Sequence, residues 1–274
     1  MDGRIEHGFR ARFRALAVWI GRPNPAVEAD RLVGEAIGAG ASAGTPTARA
    51  LADITGEEPA SYVARIVSEA RGVSMREETP LARALADAWV RELEVAKKAW
   101  AARAAVGVPA PPWACFDEAR PPRFLCDPSL AGLARWLRAA GYEASLAPGV
   151  PGHRLPDEAF RRGLVLLTTE AEALDRRIVA DGSLVVVWLP SAFTMLEQLH
   201  MAALDIGLTL REPRCMACGG TLVPTPKEDV RPRIPPRTAL WKDEYFVCAG
   251  CHQLFWRGTH WERIERTLRR AVAA

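Results

Sequence analysis

Long apolar runs are absent from the sequence, and cysteine and aromatic residues are scarce. Six of the 274 residues are cysteine and 7% are aromatic, although 49% are hydrophobic. No stretch approaches the roughly 20 consecutive apolar residues of a membrane-spanning helix. The opening MDGRIEHGFRARFRALAVWIG also lacks the apolar core and small-residue cleavage site of a secretory signal. We therefore expect a cytoplasmic protein that has no membrane partner.

The cysteines are too few for a scaffold held together by disulfides. Four of them fall into two pairs with two-residue spacers, CMAC at 215–218 and CAGC at 248–251. Such pairs in a reducing compartment are typical of metal sites. Of the other two, Cys126 stands in an apolar run and is expected in the core, whereas Cys115 stands in a proline-rich stretch and is expected at the surface.

The formal net charge of +3 conceals an uneven distribution. Lys and Arg number 15 against 14 Asp and Glu in residues 1–112, 9 against 12 in residues 113–210, and 12 against 7 in residues 211–274. An acidic middle suits a site that collects divalent cations, and a basic end suits a polyanionic partner.

The chain is longer than the roughly 100–200 residues of one typical domain, and its pattern changes along its length. A proline-rich stretch breaks any helical pattern, and before it apolar residues recur at helical spacing with no convincing strand. The predicted division is an all-α N-terminal domain at 1–106, a linker at 107–122, an α/β domain at 123–210, a zinc-binding segment at 211–265 and a C-terminal tail at 266–274.

After the linker, short apolar runs alternate with helical patterns. RFLC, GLVLLTT and SLVVVWL read as strands, and LAGLARWLRAAG, AEALDRRIVA and AFTMLEQLHMAALDIG read as helices. The runs Leu164–Leu167 and Leu184–Leu189 are apolar on both faces, as strands covered on both sides must be. The order therefore predicts a three-layer α/β domain with a parallel sheet.

The two CxxC pairs predict one structural zinc ion in a zinc ribbon, because two such turns complete a tetrahedral site and the 29 residues between them can form a hairpin. The predicted ligands are Cys215, Cys218, Cys248 and Cys251. The alternatives are two redox-active pairs or unpaired buried thiols. His252 and His260 are candidates to replace a ligand, although we expect His252 to point outward and His260 to be a packed residue.

Acidic residues follow two of the predicted strands, where functional groups gather in open parallel sheets. Asp127 ends RFLCD and Glu170 ends LVLLTTE, while Asp157 begins a short helix and Glu143 follows the helix at 129–140. Clustered carboxylates repel one another, a cost that Mg²⁺ or Mn²⁺ offsets. The alternative is that Asp127 and Glu170 merely cap the helices that follow them.

These acids and cysteines carry a family resemblance. RFLCDPSLAGLARWLRAAGYEA resembles an opening strand, its Asp and an arginine-bearing helix, RGLVLLTTE resembles a strand ending in Leu-Leu-Thr-Arg-Asp, and FWRGTHWERI resembles a closing Tyr-Trp-x-Gly-Ser-His stretch. In this order, with the CxxC pairs between, residues 123–265 resemble the PIN-like RNase domain with a C-terminal zinc ribbon, a family named after the carboxy-terminal domain of the Mut-seven exonuclease.

The resemblance implies a PIN-like fold, ribonuclease activity, and Mg²⁺ or Mn²⁺ held by acids at Asp127, Glu143, Asp157 and Glu170. Three features depart from the family. Glu143 and Glu170 stand where it has Asp, and the helix at Asp157 is about one turn shorter. A longer side chain displaces its carboxylate by about 1.5 Å, and catalysis is commonly sensitive to a shift of about 1 Å.

The expected partner is RNA, and arginines are the candidates to bind it. Arg135 and Arg138 lie one helical turn apart near Asp127 and suit bidentate binding of phosphate, although they suit ion pairs with Asp157 or Glu158 equally well. Arg257 belongs to a basic set in the ribbon that is interleaved with aromatic residues suited to stacking on bases. Packing of the ribbon is the alternative role for most of those aromatic residues.

The N-terminal half resembles no family, and a protein partner is one role for it. Ala52, Gly56, Val63 and Ile66 loosely suit the spacing of a helix-turn-helix. Three functions follow for the chain. The first is a metal-dependent ribonuclease, the second is a non-catalytic RNA-binding or protein-docking module, and the third is a DNA-binding regulator whose binding would be lost on deletion of residues 1–112.

Overall fold

The computed structural model of the chain describes residues 2–21, 58–103 and 111–272. The helices are α1 (Asp2–Gly21), α2 (Pro59–Arg76), α3 (Leu81–Arg103), α4 (Ala131–Ala139), α5 (Leu155–Arg162), α6 (Arg177–Ala180), α7 (Met195–Ile206), α8 (Lys227–Val230), α9 (Pro236–Ala239) and α10 (Thr259–Val272). The strands are β1 (Arg123–Cys126), β2 (Glu143–Leu146), β3 (Val165–Thr168), β4 (Val186–Trp188), β5 (Leu222–Thr225), β6 (Tyr245–Cys248) and β7 (Leu254–Trp256).

The chain divides into two units. The first takes Met1–Pro111 and Ala171–Ser183, and the second takes Pro112–Glu170 and Leu184–Ala274. No helix among the described residues is both long enough and apolar enough to cross a membrane.

The first unit is built on α1, α2 and α3, which pack against one another. The described N-terminal residues are thus helical, as the spacing of apolar residues predicts. Phe9, Phe13 and Trp89 are among the buried side chains of this core. Val63 and Ile66, candidates for a helix-turn-helix, are buried on α2 and serve packing. The other two candidates, Ala52 and Gly56, lie outside the described residues.

A segment between β3 and β4 belongs to the first unit. The sequence predicts one helix over 171–180, but the structure has a 3-10 turn at Ala171–Asp175 and then the short α6. The 3-10 turn packs against α1. Asp175 accepts a hydrogen bond of 3.2 Å from Arg14, and its Oδ2 lies 3.5 Å from His7 Nε2. These contacts with α1 are long-range, so local helical spacing does not reveal them.

The second unit contains a four-stranded parallel sheet in the order β2-β1-β3-β4. Every residue of β3 and β4 is buried, and this burial explains why their sequences are apolar on both faces. Helix α4 packs on β2 and α7, and α5 packs on β3. The predicted α/β arrangement with a parallel sheet is confirmed. Cys126 ends β1 in the core, where burial raises its pKa to about 12, and Cys115 is half-buried.

The ribbon is a three-stranded antiparallel sheet in the order β5-β6-β7. Its own hydrophobic core is small, with Val230, Ile234 and Tyr245 as the buried residues. Helix α10 follows the ribbon and packs against α7. The sequence predicts a tail at 266–274, but residues 266–272 form the second half of α10. Leu268 and Ala271 are buried there, and burial of that apolar face explains why the helix continues.

Candidate functional site

The strand order creates a crevice at one edge of the parallel sheet. β1 and β3 are neighbours, and the chain leaves β1 toward β2 on one side and β3 toward β4 on the other. Connections that diverge in this way leave a gap beyond the carboxyl ends of the two strands, where open α/β sheets bind their ligands. Asp127 directly follows β1, and Thr169 and Glu170 directly follow β3. Two acids named from the sequence therefore lie at this crevice.

Asp127 is nearly buried, with 8% of its surface exposed, and both of its carboxylate oxygens accept hydrogen bonds. Oδ1 accepts bonds of 2.9 Å from the backbone N–H and from the hydroxyl of Ser129, and Oδ2 accepts one of 3.2 Å from the Thr168 hydroxyl. Asp127 does cap the 3-10 turn Pro128–Leu130, as the capping alternative predicts. Among the described residues, however, no Lys, Arg or His side chain forms an ion pair with it.

Hydroxyl groups surround this carboxylate. Thr168 is 1% exposed, and its Oγ1 accepts a 3.1 Å hydrogen bond from the backbone N–H of Glu170 while donating to Asp127. The hydroxyls of Ser129 and Thr169 lie 3.3 Å apart. Sequence reasoning missed these three residues. The Thr-Thr pair that ends the predicted strand GLVLLTT, at the same sheet edge as Asp127, is the signal that could have found them.

Asp157 and Glu170 lie on the same side of the sheet. The loop that leaves the carboxyl end of β2 leads directly into α5, so Asp157, in the first turn of α5, lies at that edge. A Cβ on Gly152 of this loop would stand 3.8 Å from Glu170 Cγ, and the loop therefore lies beside Glu170. Both acids are exposed.

The acids are not drawn into one compact group. Across residues 2–21, 58–103 and 111–272, no three carboxylates bring oxygens within 4.8 Å of one another. Like charges disfavour each other at short range, so separation is the expected arrangement without a cation between them. The crevice thus has one sequestered acid, Asp127, and two exposed ones beside it.

The four predicted zinc ligands do form one compact group. All four sulfur atoms lie within 4.8 Å of one another, and neither His252 nor His260 belongs to the group. The Sγ atoms of Cys215 and Cys251 are 3.6 Å apart, and those of Cys218 and Cys248 are 3.4 Å apart. Tetrahedral zinc with Zn–S bonds of about 2.3 Å requires about 3.8 Å between sulfur atoms. Both short distances join different CxxC pairs, which favours one four-ligand site over two separate redox pairs.

The backbone around the sulfur atoms is shaped for a metal. Gly220 and Gly250 donate their N–H groups to the sulfur atoms of Cys218 and Cys248, each at 3.4 Å. A Cβ on Gly220 would stand 2.8 Å from Cys248 Sγ, so a side chain there would collide with the site. Burial disfavours the Cys248 thiolate, but backbone N–H groups from Cys251 and Gly250 outweigh it and lower its pKa to about 6. The thiolate is the form that binds metal, and burial acts against it at Cys215, where it raises the pKa to about 12.

Comparison with known protein families identifies the second unit. Residues 122–268 match the model of the Mut7-C RNAse domain family. The chain belongs to this family. The match begins one residue before β1 and ends inside α10, so it takes in the crevice and all four cysteines, while the N-terminal half has no family match. No curated protein and no solved structure gives a significant match. Membership points to a nuclease function with RNA as the substrate class.

One acid implied by the family resemblance lies away from the crevice of the Mut7-C domain. Glu143 is the first residue of β2 and pairs with Arg123, the first residue of β1. At about 3.3 Å per residue, the three register steps to the Cys126 and Leu146 pair place it roughly 10 Å from the carboxyl edge. The structure therefore places Glu143 away from the crevice, and its role as a catalytic acid stays a prediction from the family resemblance. Glu143 begins its strand, whereas Asp127 directly follows the end of β1.

Arg138 is a buried residue whose guanidinium is bound to backbone carbonyls, and its role in RNA binding stays a prediction. Its side chain is buried, with 9% of the residue exposed. The guanidinium donates to the carbonyl oxygens of Ala144 at 2.8 Å, Met216 at 3.1 Å and Ala217 at 2.8 Å. It therefore ties α4 to β2 and to the turn between the first two cysteines. Arg135, three residues earlier, is exposed and stays a candidate for RNA binding.

Arg138→Met is expected to destabilise the Mut7-C domain by about 3 kcal/mol, because one buried and two partly buried hydrogen bonds from a charged donor to backbone carbonyls would be lost. Arg135→Met is the matched control, since it makes the same change on the exposed face of α4. The measurement is the midpoint of chemical unfolding, together with the zinc released at each denaturant concentration. Equal midpoints for the two variants would contradict the structural role of Arg138.

Arg257 lies over an aromatic pair of the ribbon. The rings of Phe246 and Trp261 are stacked with centroids 5.7 Å apart, and the guanidinium lies 5.9 Å and 5.8 Å from the two centroids. Arg257 Nε also pairs with Glu244 Oε2 at 3.2 Å. The side chain of Arg257 is more than half exposed, and the ion pair occupies only its Nε, so its other N–H groups can still donate to an RNA phosphate. Trp241 of the ribbon is 82% exposed and its ring is accessible to solvent.

Proposed function

We propose that the Mut7-C domain is a divalent-metal-dependent ribonuclease with a PIN-like fold. The observation that carries this proposal is the position of Asp127. A nearly buried carboxylate, which no basic side chain pairs with among the residues that the structure describes, lies at the switch point of the sheet beside two further acids. Buried charges are normally paired or bound to metal. Residues of this kind suit a hard cation, because carboxylate and hydroxyl oxygens are its preferred ligands.

The proposed metal ligands are Asp127, Asp157 and Glu170. Mg²⁺ or Mn²⁺ bound there would lower the pKa of a water molecule and neutralise charge on a phosphodiester. The protein's own hydroxyls hold Asp127 in place, since Ser129 and Thr168 fix both of its oxygens. Thr168 also binds the backbone at Glu170. One buried side chain therefore connects the positions of the two acids.

The ribbon has a structural zinc ion in this proposal, and its basic residues contact the RNA backbone. Arg135 and Arg257, two of the arginines named from the sequence, are the proposed contacts. Trp241 suits stacking on an unpaired base, because nearly its entire ring is accessible and every base offers a flat face. Tyr245 is buried and Trp256 is packed against it, so these two aromatic residues support the ribbon.

The test is cleavage of labelled single-stranded and structured RNAs by the purified protein, with Mg²⁺, with Mn²⁺, or with neither. We expect cleavage that appears with either metal and disappears when it is withdrawn, at constant zinc content. Cleavage that continues without a divalent metal would contradict the proposed chemistry.

A second candidate is a non-catalytic RNA-binding or protein-docking module. The observation that favours it is the separation of the acids, together with a glutamate at position 170. It predicts RNA binding without cleavage in any divalent metal, and binding that does not change in Asp127→Asn. The same assay therefore separates the two functions.

A further inference from the structure

A cavity of about 600 Å³ lies beside the first turn of α5. The loop Gly149–Pro151 forms part of its lining, and charged side chains form the remainder. These are two bases and two acids, namely Arg154, Arg161, Asp157 and Glu158. The two arginines and Glu158 have no role in the proposed chemistry.

One of the two bases of this cavity has no acidic partner among the described residues. Glu158 is already neutralised, because Arg161 donates to it and Arg162 NH1 lies 3.8 Å from its Oε1. Arg154 is exposed, and within the described part of the chain no carboxylate forms an ion pair with it. The cavity therefore presents a guanidinium that is available to an anion.

The cavity adjoins the proposed catalytic crevice. Asp157 lines the cavity and is also one of the three proposed metal ligands. Gly152, two residues before Arg154, lies beside Glu170. A bound polyanion that reaches the crevice would therefore have its next charged group within range of this cavity.

We propose that Arg154 binds a backbone phosphate of RNA next to the phosphate that is cleaved. This inference rests on the proposed ribonuclease function and adds a substrate contact to it. Guanidinium suits the role, because its planar donors match two oxygens of one phosphate. The sequence offers Arg138 for phosphate binding, but its N–H donors are bound to backbone carbonyls. We therefore assign the phosphate contact to Arg154.

The test measures binding of a fluorescent single-stranded RNA oligomer in Ca²⁺ over a series of salt concentrations. Arg154→Ala is expected to weaken binding about tenfold, the value of one charged hydrogen bond. It should also reduce the slope of log affinity against log salt by about 0.7, the contribution of one phosphate contact on a single strand. Arg154→Lys keeps the charge and should restore the slope, but only part of the affinity.

Arg162→Ala is the control, since Arg162 is on α5 and pairs with Glu158 but does not line the cavity. Unchanged affinity and slope in Arg154→Ala would overturn the inference, and so would equal losses in the two alanine variants. Absence of RNA binding by the wild type would also overturn it. If the wild type cleaves RNA and the Arg154→Ala variant binds and cleaves it equally well, the Arg154 contact is rejected and the ribonuclease function is kept. If the slope of log affinity against log salt falls in Arg154→Ala but the wild type cleaves no RNA, Arg154 is kept as an RNA contact and the ribonuclease function is rejected.

Discussion

Asp127→Asn is expected to reduce RNA cleavage about a thousandfold while the protein keeps its fold and its zinc. Loss of a metal-bound charge removes several kcal/mol of transition-state stabilisation, and each 1.36 kcal/mol is a factor of ten in rate. The amide has the shape of the carboxylate and still offers an oxygen to the backbone N–H of Ser129, so the cap is kept. Thr168 can reverse its hydrogen bond, because a hydroxyl both donates and accepts. The measurement is single-turnover cleavage at saturating Mn²⁺.

Glu143→Gln is the matched control for this experiment. It also neutralises an acid implied by the family resemblance, but at the opposite edge of the sheet. We expect cleavage at the wild-type rate. Equal loss in the two variants would show that the register argument is mistaken, and an active Asp127→Asn would reject the crevice as the catalytic site.

Removal of zinc is expected to unfold the ribbon while the parallel sheet stays folded. The ribbon core has few buried apolar side chains, and its four clustered cysteines would be joined only through the zinc ion. Structural zinc contributes about 10–16 kcal/mol to small domains of this kind, far more than such a core supplies. Hydrogen exchange should therefore show β5, β6 and β7 losing protection in strong chelator, with β1 and β3 unchanged.

Two variants sharpen this test. Cys248→Ser removes one ligand and should reproduce the effect of the chelator, with zinc content well below one ion per chain. Cys115→Ser changes a cysteine outside the group and should keep zinc and protection. Ribbon strands that remain protected in zinc-free protein would mean that packing alone holds them.

Several elements of the Mut7-C domain were predictable because they have a local signal. Alternation of apolar runs and helical spacing identified β1, β3 and β4, and the two-residue spacers identified the cysteines. Contacts between distant parts of the chain left no such signal. The position of Glu143 away from the crevice follows from the pairing register of β1 and β2. The contact of Arg138 with the carbonyls of Met216 and Ala217 joins residues about 80 positions apart in the chain. The role of Thr168 also depends on which two strands are neighbours.

Ala171–Ser183 belong to the helical unit, although they lie between β3 and β4 in the chain. The chain passes from the first unit to the second, returns after Glu170, and leaves again before Leu184. The two units are therefore interleaved, and a single cut in the proline-rich linker does not separate them. Removal of residues 1–112 would strip Ala171 and Ala173 of the helix that their turn packs against. For the same reason, residues 122–268 could not be exchanged between proteins as one independent segment, because Ala171–Ser183 within them belong to the first unit.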